Sequence, residues 1–289
     1  MARSTRRARR ARTLTVAVVV LALLGVGVVA LVRSLQQHGL TGPVPGQQRC
    51  VATAGGRSVV LGLEQARLSA VIVGLSVRRG LPPRAASIAM ATVYQETGIR
   101  NLDYGDRDSV GLFQQRPSQG WGTEAQLLDP YYATGKFYDA LVRIDGWEDA
   151  DITEVAQRVQ RSGYPEAYRD HERDARVLAS ALTGETPRGL TCLDRTGTPG
   201  DPAALARSLR ETFGKVGART EGRTVTIEAS STDRAWAYAS YAVAGAARYG
   251  VVAVETRGRT WRAGEQTLPS WSAAAADAGG SRTVTITLR

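Results

Sequence analysis

The longest uncharged stretch of the chain constrains its fold most. Residues 14–32 read LTVAVVVLALLGVGVVALV, nineteen residues without a charged side chain. As an α-helix this stretch would be about 28 Å long, which matches the hydrocarbon core of a bilayer. Residues 1–33 hold seven arginines and no acidic residue, and basic flanks stay on the cytoplasmic side. The pattern predicts a cytoplasmic Arg-rich segment (residues 1–13), one transmembrane helix (14–32) and the remaining chain outside the cell membrane.

A cleaved signal peptide is the alternative interpretation of this segment. Its apolar region would span only about 7–15 residues and would end at a site with small residues. Here Ala30, Leu31 and Val32 lead directly into an arginine, which makes a poor cleavage site. We therefore favour an uncleaved, single-pass membrane anchor.

Charge and composition exclude several classes of function. The formal net charge is +10, but without the seven N-terminal arginines 30 basic side chains face only 27 acidic ones. A nucleic-acid partner is therefore not expected. With two histidines and two cysteines, the chain cannot build a His-rich zinc site, a zinc knuckle or an iron–sulfur cluster. We expect no metal and no cofactor, and a Ser-His-Asp triad would have to use His171.

The expected compartment decides how Cys50 and Cys192 are interpreted. Outside the membrane, where conditions are oxidising, an even pair of cysteines is most simply joined in a disulfide. The alternative is two separate thiols.

Turn residues and periodicity divide the rest of the chain. Residues 33–49 form a polar linker, and helical spacing recurs from residue 59 to 79, from Pro82 to about Thr97, and in later segments up to residue 182. A linker at 193–200 follows. Residues 201–289 combine helical segments with alternating strands at 224–227, 251–255 and 283–288. We expect a mainly α domain at 50–192 and a small α+β domain at 201–289.

Glu96 is the strongest candidate for a catalytic residue. It lies in the last turn of an apolar helix, just before the Gly-rich, polar stretch at residues 99–122. Burial against apolar neighbours raises the pKa of a carboxyl, which keeps it protonated near neutrality and able to act as a general acid. Protonation of a glycosidic oxygen needs such a group.

Two motifs place Glu96 in a known context. Residues 91–98 read ATVYQETG, and residues 108–117 read DSVGLFQQRP. Together they resemble the lysozyme-like superfamily of soluble lytic transglycosylases and goose-type lysozymes, including its membrane-anchored actinobacterial members. The resemblance covers about residues 60–183. It implies a lysozyme-like fold for the first domain, Glu96 as the catalytic acid/base, and a substrate cleft lined by Gln95, Ser109, Gly111 and Gln114.

The chain departs from the family in one motif. Members often carry Tyr-Asn-Ala-Gly on a later helix, whereas residues 160–165 here read QRSGYP. Tyr164 can replace that tyrosine in part, but the asparagine is missing, which bears on substrate positioning.

Other residues of the same region have more than one interpretation. Asp103, Asp106 and Asp108 can shape the turn and pair with Arg107 or Arg100, hold a water for hydrolysis, or bind calcium, although their spacing does not match an EF-hand loop. Tyr104 and Trp121 are candidates for stacking on sugar rings. Arg116 and Arg161 are candidates for contacts with substrate carboxylates, with a solvated surface as the alternative.

The expected function is cleavage of the MurNAc–GlcNAc β-1,4 bond of peptidoglycan, by a lytic transglycosylase or alternatively by a lysozyme-type hydrolase. Two other possibilities are a non-catalytic scaffold that binds wall glycan and an accessory that opens the wall for a secretion or conjugation machine. The expected partners are peptidoglycan strands, the membrane through the N-terminal helix, and an envelope protein through the C-terminal domain.

Overall fold

A computed structural model describes residues 47–160, 165–274 and 282–289. The predicted transmembrane helix at 14–32 lies outside these residues. Within them, no helix is long and apolar enough to cross a membrane. The described part contains nine α-helices and two antiparallel β-sheets, so the expected combination of helices and sheet is confirmed.

The first part of the structure is mainly helical, as expected, with one small sheet. Its elements are β1 (Arg49–Ala54), β2 (Arg57–Leu61), α1 (Leu63–Arg78), α2 (Pro83–Thr97), α3 (Glu124–Leu127), α4 (Pro130–Leu141), α5 (Ile152–Gln160), α6 (Arg169–Thr183) and β3 (Leu190–Leu193). Short 3-10 turns occupy Pro117–Gln119 and Pro165–Tyr168.

The remaining elements build the second part. They are α7 (Pro202–Phe213), β4 (Ala218–Glu221), β5 (Thr224–Glu228), α8 (Thr232–Ala244), α9 (Ala246–Tyr249), β6 (Val251–Thr256), β7 (Arg259–Arg262), β8 (Ser272–Ala273) and β9 (Thr283–Leu288). Its six strands form one antiparallel sheet in the order β4-β5-β9-β6-β7-β8. The strands expected near 224–227, 251–255 and 283–288 are all present.

The small sheet of the first part has the order β2-β1-β3. Cys50 on β1 lies directly opposite Cys192 on β3, and the two form a disulfide with their Cα atoms 3.9 Å apart. The predicted pairing is confirmed. The sheet also corrects a boundary, because helical spacing was expected from residue 59. Residues 57–61 form a strand instead, and α1 begins after Gly62, whose extended backbone caps it.

The helix that carries Glu96 lies at the centre of the first part. α2 is rich in alanine, is buried at every position from Ala85 to Val93, and packs mainly against α6. Pro83 begins it and Gly98 ends it with a left-handed backbone (φ 60°). Burial on all sides gives α2 a fixed position, so the side chains of its last turn are held in place relative to the following loop.

The two parts share one hydrophobic core. α8, buried at all ten positions from Ala235 to Ala244, contacts α1 and α6 of the first part as well as β6 and β9 of its own sheet. Gly74 on α1 allows the close approach of α7, because a Cβ at this position would clash with Thr212. Residues 48–289 accordingly form one compact unit, although the sequence suggested a boundary at 193–200.

Candidate active site

Glu96 lies where α2 meets the loop at residues 99–122. The end of α2 is fixed from both sides: the Gln65 amide donates to the carbonyl of Gly98 over 2.8 Å, and the Thr97 hydroxyl donates to the carbonyl of Leu112 over 3.0 Å. These bonds tie the last turn of the helix to α1 and to the loop. The carboxyl of Glu96 is therefore presented by a rigid element.

Two side chains donate hydrogen bonds to the same oxygen of Glu96. The hydroxyl of Tyr168 lies 2.7 Å from Oε1, and the amide nitrogen of Gln160 lies 3.3 Å from it. Burial raises the pKa of the Glu96 carboxyl above its ordinary value, and these two hydrogen bonds offset part of that rise. Among the described residues, hydrogen bonds reach Oε1 alone. The arrangement suits a carboxyl that gives up a proton and is then stabilised as an anion.

Gln160 also connects Glu96 to the loop. The same amide nitrogen donates to the backbone carbonyl of Phe113 over 2.6 Å. Phe113 is fully buried and stacks on Phe137 of α4, with ring centroids 4.6 Å apart. Gln160 at the end of α5 thus links the candidate acid to a loop segment that is anchored in the core.

Sequence reasoning missed Gln160 and Tyr168 as partners of Glu96. The segment from Gln160 to Tyr164 was recognised as replacing a family motif, but Tyr164 was selected from it, and this residue lies outside the described ones. Gln160 could have been found as the polar side chain closing an amphipathic helix. Tyr168 carries no such signal, because only the turn before α6 brings its hydroxyl to α2.

The side chains of Ser109 and Gln114 are engaged with the loop itself. The hydroxyl of Ser109 donates to the carbonyl of Asp106 over 2.7 Å and contacts Oε1 of Gln114 at 3.0 Å. The Gln114 amide donates to the carbonyls of Tyr104 (3.2 Å) and Gly111 (3.3 Å). Gly111 itself has a φ of +79°, and a Cβ there would strike the carbonyl oxygen of Leu127. The motif therefore fixes the shape of the loop.

The three loop aspartates differ in their surroundings. Asp108 accepts from Arg116 (2.8 Å) and, over 2.8 Å, from the backbone N–H of Ser118, and these bonds hold the pKa of its carboxyl well below the usual range. Asp106 is exposed, 3.9 Å from Arg107, and Asp103 is exposed as well. Across the described residues, no three His, Cys, Asp or Glu side chains are grouped as a metal site requires.

The candidate aromatic contacts also differ. Tyr104 is 68% exposed, on the outside of the loop. Trp121 is half-buried and lines a groove of about 670 Å³ that also reaches Gln160. Gln95 is exposed next to Glu96, and its side-chain oxygen lies 3.1 Å from Nε2 of His171. Gln160 thus links Glu96, through a hydrogen bond, to the groove that Trp121 lines.

The tryptophans of the second part are structural. Trp236 and Trp261 are buried, and Trp271 packs edge-on against Trp236. The indole nitrogens of Trp261 and Trp271 donate to Thr191 and Leu190 of β3, over 3.0 and 2.9 Å. These rings hold the second part on the first.

No model of a known protein family matches the chain, and no curated protein matches it significantly.

Proposed function

We propose that the protein cleaves the MurNAc–GlcNAc β-1,4 bond of peptidoglycan as a lytic transglycosylase, with Glu96 as its general acid and base. The observation that carries this proposal is the environment of Glu96. Its carboxyl has a pKa raised by burial, and Tyr168 and Gln160 donate to one of its oxygens. A positioned carboxyl with a raised pKa is the group that protonation of a glycosidic oxygen requires.

The chemistry needs one carboxyl used twice. Glu96 donates its proton to the bridging oxygen as the bond from that oxygen to C1 of the muramyl sugar breaks. The resulting carboxylate then takes the proton of the muramyl 6-hydroxyl while the oxygen of that hydroxyl bonds to C1. This closes a 1,6-anhydro ring and leaves Glu96 protonated again. Tyr168 and Gln160 stabilise the carboxylate between the two steps.

The state of the loop supports transglycosylation over hydrolysis. Hydrolysis needs a second group that activates water. Asp108 has both oxygens engaged by Arg116 and Ser118, and this supports a role in the turn, with Arg116 as its partner and not Arg107 or Arg100. Asp103 and Asp106 are exposed to solvent at the loop surface.

The proposed location is the outer face of the cell membrane, with residues 14–32 as the anchor. The disulfide between Cys50 and Cys192 supports it, because such bonds persist in oxidising compartments. An anchored enzyme of this kind would act on the wall layer nearest to the membrane.

Product masses test the proposed reaction. Purified peptidoglycan is digested with the full-length chain, with Glu96→Gln as the inactive control, and the masses of the soluble fragments are measured by mass spectrometry. Transglycosylation predicts fragments with an anhydro end, lighter by one water than hydrolysis products, that are lost in the variant. Fragments with a reducing end would establish a hydrolase, and binding without any fragment would establish a scaffold.

A further inference from the structure

A basic groove opens beside the candidate active site. We call it the Trp121 groove. It has a volume of about 670 Å³ and runs between α4 and the end of α5, with Gln160 at one side. Three cationic side chains line it: Lys136 on α4, Arg143 just after α4, and Arg158 on α5.

The positive charge of the groove is not neutralised locally. Asp139 is the single acidic residue among its lining side chains, and it is paired with Arg79, which lies outside the groove, over 2.8 Å. Within the described part of the chain, Lys136, Arg143 and Arg158 form no ion pair. Lys136 instead lies over the ring of Tyr132, with its Nζ 5.4 Å from the ring centroid. Arg158 donates to the backbone carbonyl of Asp145 over 3.4 Å. The groove thus presents three cations without an acidic side-chain partner among the described residues.

The sequence named two other cations as candidates for contacts with substrate carboxylates. Arg116 is engaged by Asp108, and Arg161 lies outside the described residues. The lysine and two arginines that line the groove come from α4, the residues just after it, and α5.

We propose that the Trp121 groove binds the carboxylates of the peptide stems that branch from the glycan strand, an inference that rests on the proposed function. In a strand with intact stems, each muramyl lactyl group is tied up in an amide, so the free carboxylates lie on the stems. Gln160 both contacts Glu96 and lines the groove. Because Gln160 joins the two, a strand cleaved at Glu96 would bring a stem to the groove, where Trp121 and Ile144 offer apolar surface beside the cations.

Binding to peptidoglycan with chemically modified carboxylates tests whether the groove recognises these groups. Peptidoglycan with intact stems is compared with the same material after its carboxylates are converted to carboxamides by carbodiimide and ammonia. This removes the negative charge and keeps the bulk of the stems. Binding of the full-length Glu96→Gln chain to each is measured by sedimentation, and the wild-type chain is assayed for cleavage in parallel.

Amidation is expected to weaken binding roughly ten-fold, since the three ion pairs between the groove cations and stem carboxylates are solvent-exposed and each contributes modestly. The triple variant Lys136→Gln, Arg143→Gln, Arg158→Gln is expected to bind both materials equally, at the weaker level. A matched control, Arg210→Gln, Arg219→Gln, Arg223→Gln, removes the same charge from exposed sites of the second part and is expected to keep the preference.

Two results would overturn the proposal. The first is equal binding of free and amidated wall by the Glu96→Gln chain. The second is binding that survives amidation but is abolished by hydrofluoric acid, which strips phosphodiester-linked polymers, since the groove would then take phosphate. Absence of cleavage by the wild-type chain alongside a retained charge preference would instead refute the proposed reaction and leave the groove assignment standing.

Discussion

At Glu96, two opposing effects act on one carboxyl. Burial favours the protonated form, whereas the Tyr168 hydroxyl and the Gln160 amide favour the anion. Because burial has the larger effect, the pKa lies above its ordinary value. A general acid must be protonated when substrate binds, so activity should fall on the alkaline side as the pH passes this pKa.

Tyr168→Phe is expected to move that alkaline limb upward. The substitution removes a donor that stabilises the carboxylate, so the pKa of Glu96 rises further and the acid stays protonated to higher pH. A shift of about one unit follows from the strength of a hydrogen bond to a charged group. The pH dependence of kcat/KM measures it.

Tyr138→Phe is the matched control for this experiment. Its hydroxyl is also buried but donates to the carbonyl of Ile72, away from Glu96, over 3.0 Å. The control should lose some stability and keep the wild-type pH profile. An unchanged profile in Tyr168→Phe would show that its hydroxyl does not tune the acid.

The sequence singled out Glu96 as a candidate but not the two side chains that donate hydrogen bonds to it. Glu96 has a local signature, a carboxylate in the last turn of an apolar helix before a Gly-rich loop. Gln160 and Tyr168 meet it only through the packing of α5 and α6 against α2. Such contacts between distant segments leave no periodic trace in the sequence, and a single chain supplies no covariation to reveal them.

At the scale of elements, the loop after α2 depends on Asp108. The depressed pKa of this carboxyl means that its bonds are present at neutral pH and are lost only as the pH falls through that low value. Asp108→Asn is expected to weaken the acceptor for the backbone N–H of Ser118, so exchange of that amide should speed up several-fold. Hydrogen exchange at neutral pH measures this.

Asp106→Asn is the natural comparison, because the Asp106 side chain is 92% exposed and bonds no backbone amide among the described residues. It should leave the exchange of Ser118 unchanged. Equal exchange in both variants and the wild type would argue that Asp108 does not hold the turn.

The disulfide of the small sheet makes a second prediction. It joins residues 142 apart in sequence, and loss of such a link typically costs about 2–5 kcal/mol. Reductant should therefore lower the urea midpoint of the wild-type chain, with thiol titration showing that the bond has opened. The double variant Cys50→Ser, Cys192→Ser should have the lower urea midpoint of the reduced wild type, and reductant should not change it. A wild-type midpoint that is indifferent to reduction would contradict the role of the bond.

Helices of the chain were easier to predict than its first strands. Pro83, Asp129 and Asp201 mark helix starts, and the structure has helices beginning at or just after each. β1, β2 and β3 are short, and their alternation is too brief to separate from helical spacing. Their pairing joins the two ends of the first part, which local pattern cannot show.

At the scale of the whole molecule, the shared core predicts cooperative unfolding. α8 packs against helices of the first part and strands of the second, so neither part can open without exposing it. Residues 48–289 are expected to unfold in a single calorimetric transition, with equal calorimetric and van't Hoff enthalpies. Two separated transitions would show that the parts are independent domains.

Gly74→Val probes the same coupling. A side chain here would press against Thr212 and Phe213 of α7, and overpacking of this kind typically costs about 1–3 kcal/mol. The single transition should move to lower temperature as a whole. Gly217→Ala, at a position with open space around it, should leave the transition in place.

The central claim is that Glu96 is the general acid. The most direct test is to measure how much the cleavage rate falls when Glu96 is replaced. The release of soluble fragments from peptidoglycan is compared for the wild type, Glu96→Gln and the exposed control Glu221→Gln, at equal amounts of wall-bound protein. Loss of general acid catalysis predicts a rate lower by at least about 100-fold in Glu96→Gln, with binding and thermal stability retained. The control should match the wild type. A Glu96→Gln chain that cleaves within a few-fold of the wild-type rate would contradict the account.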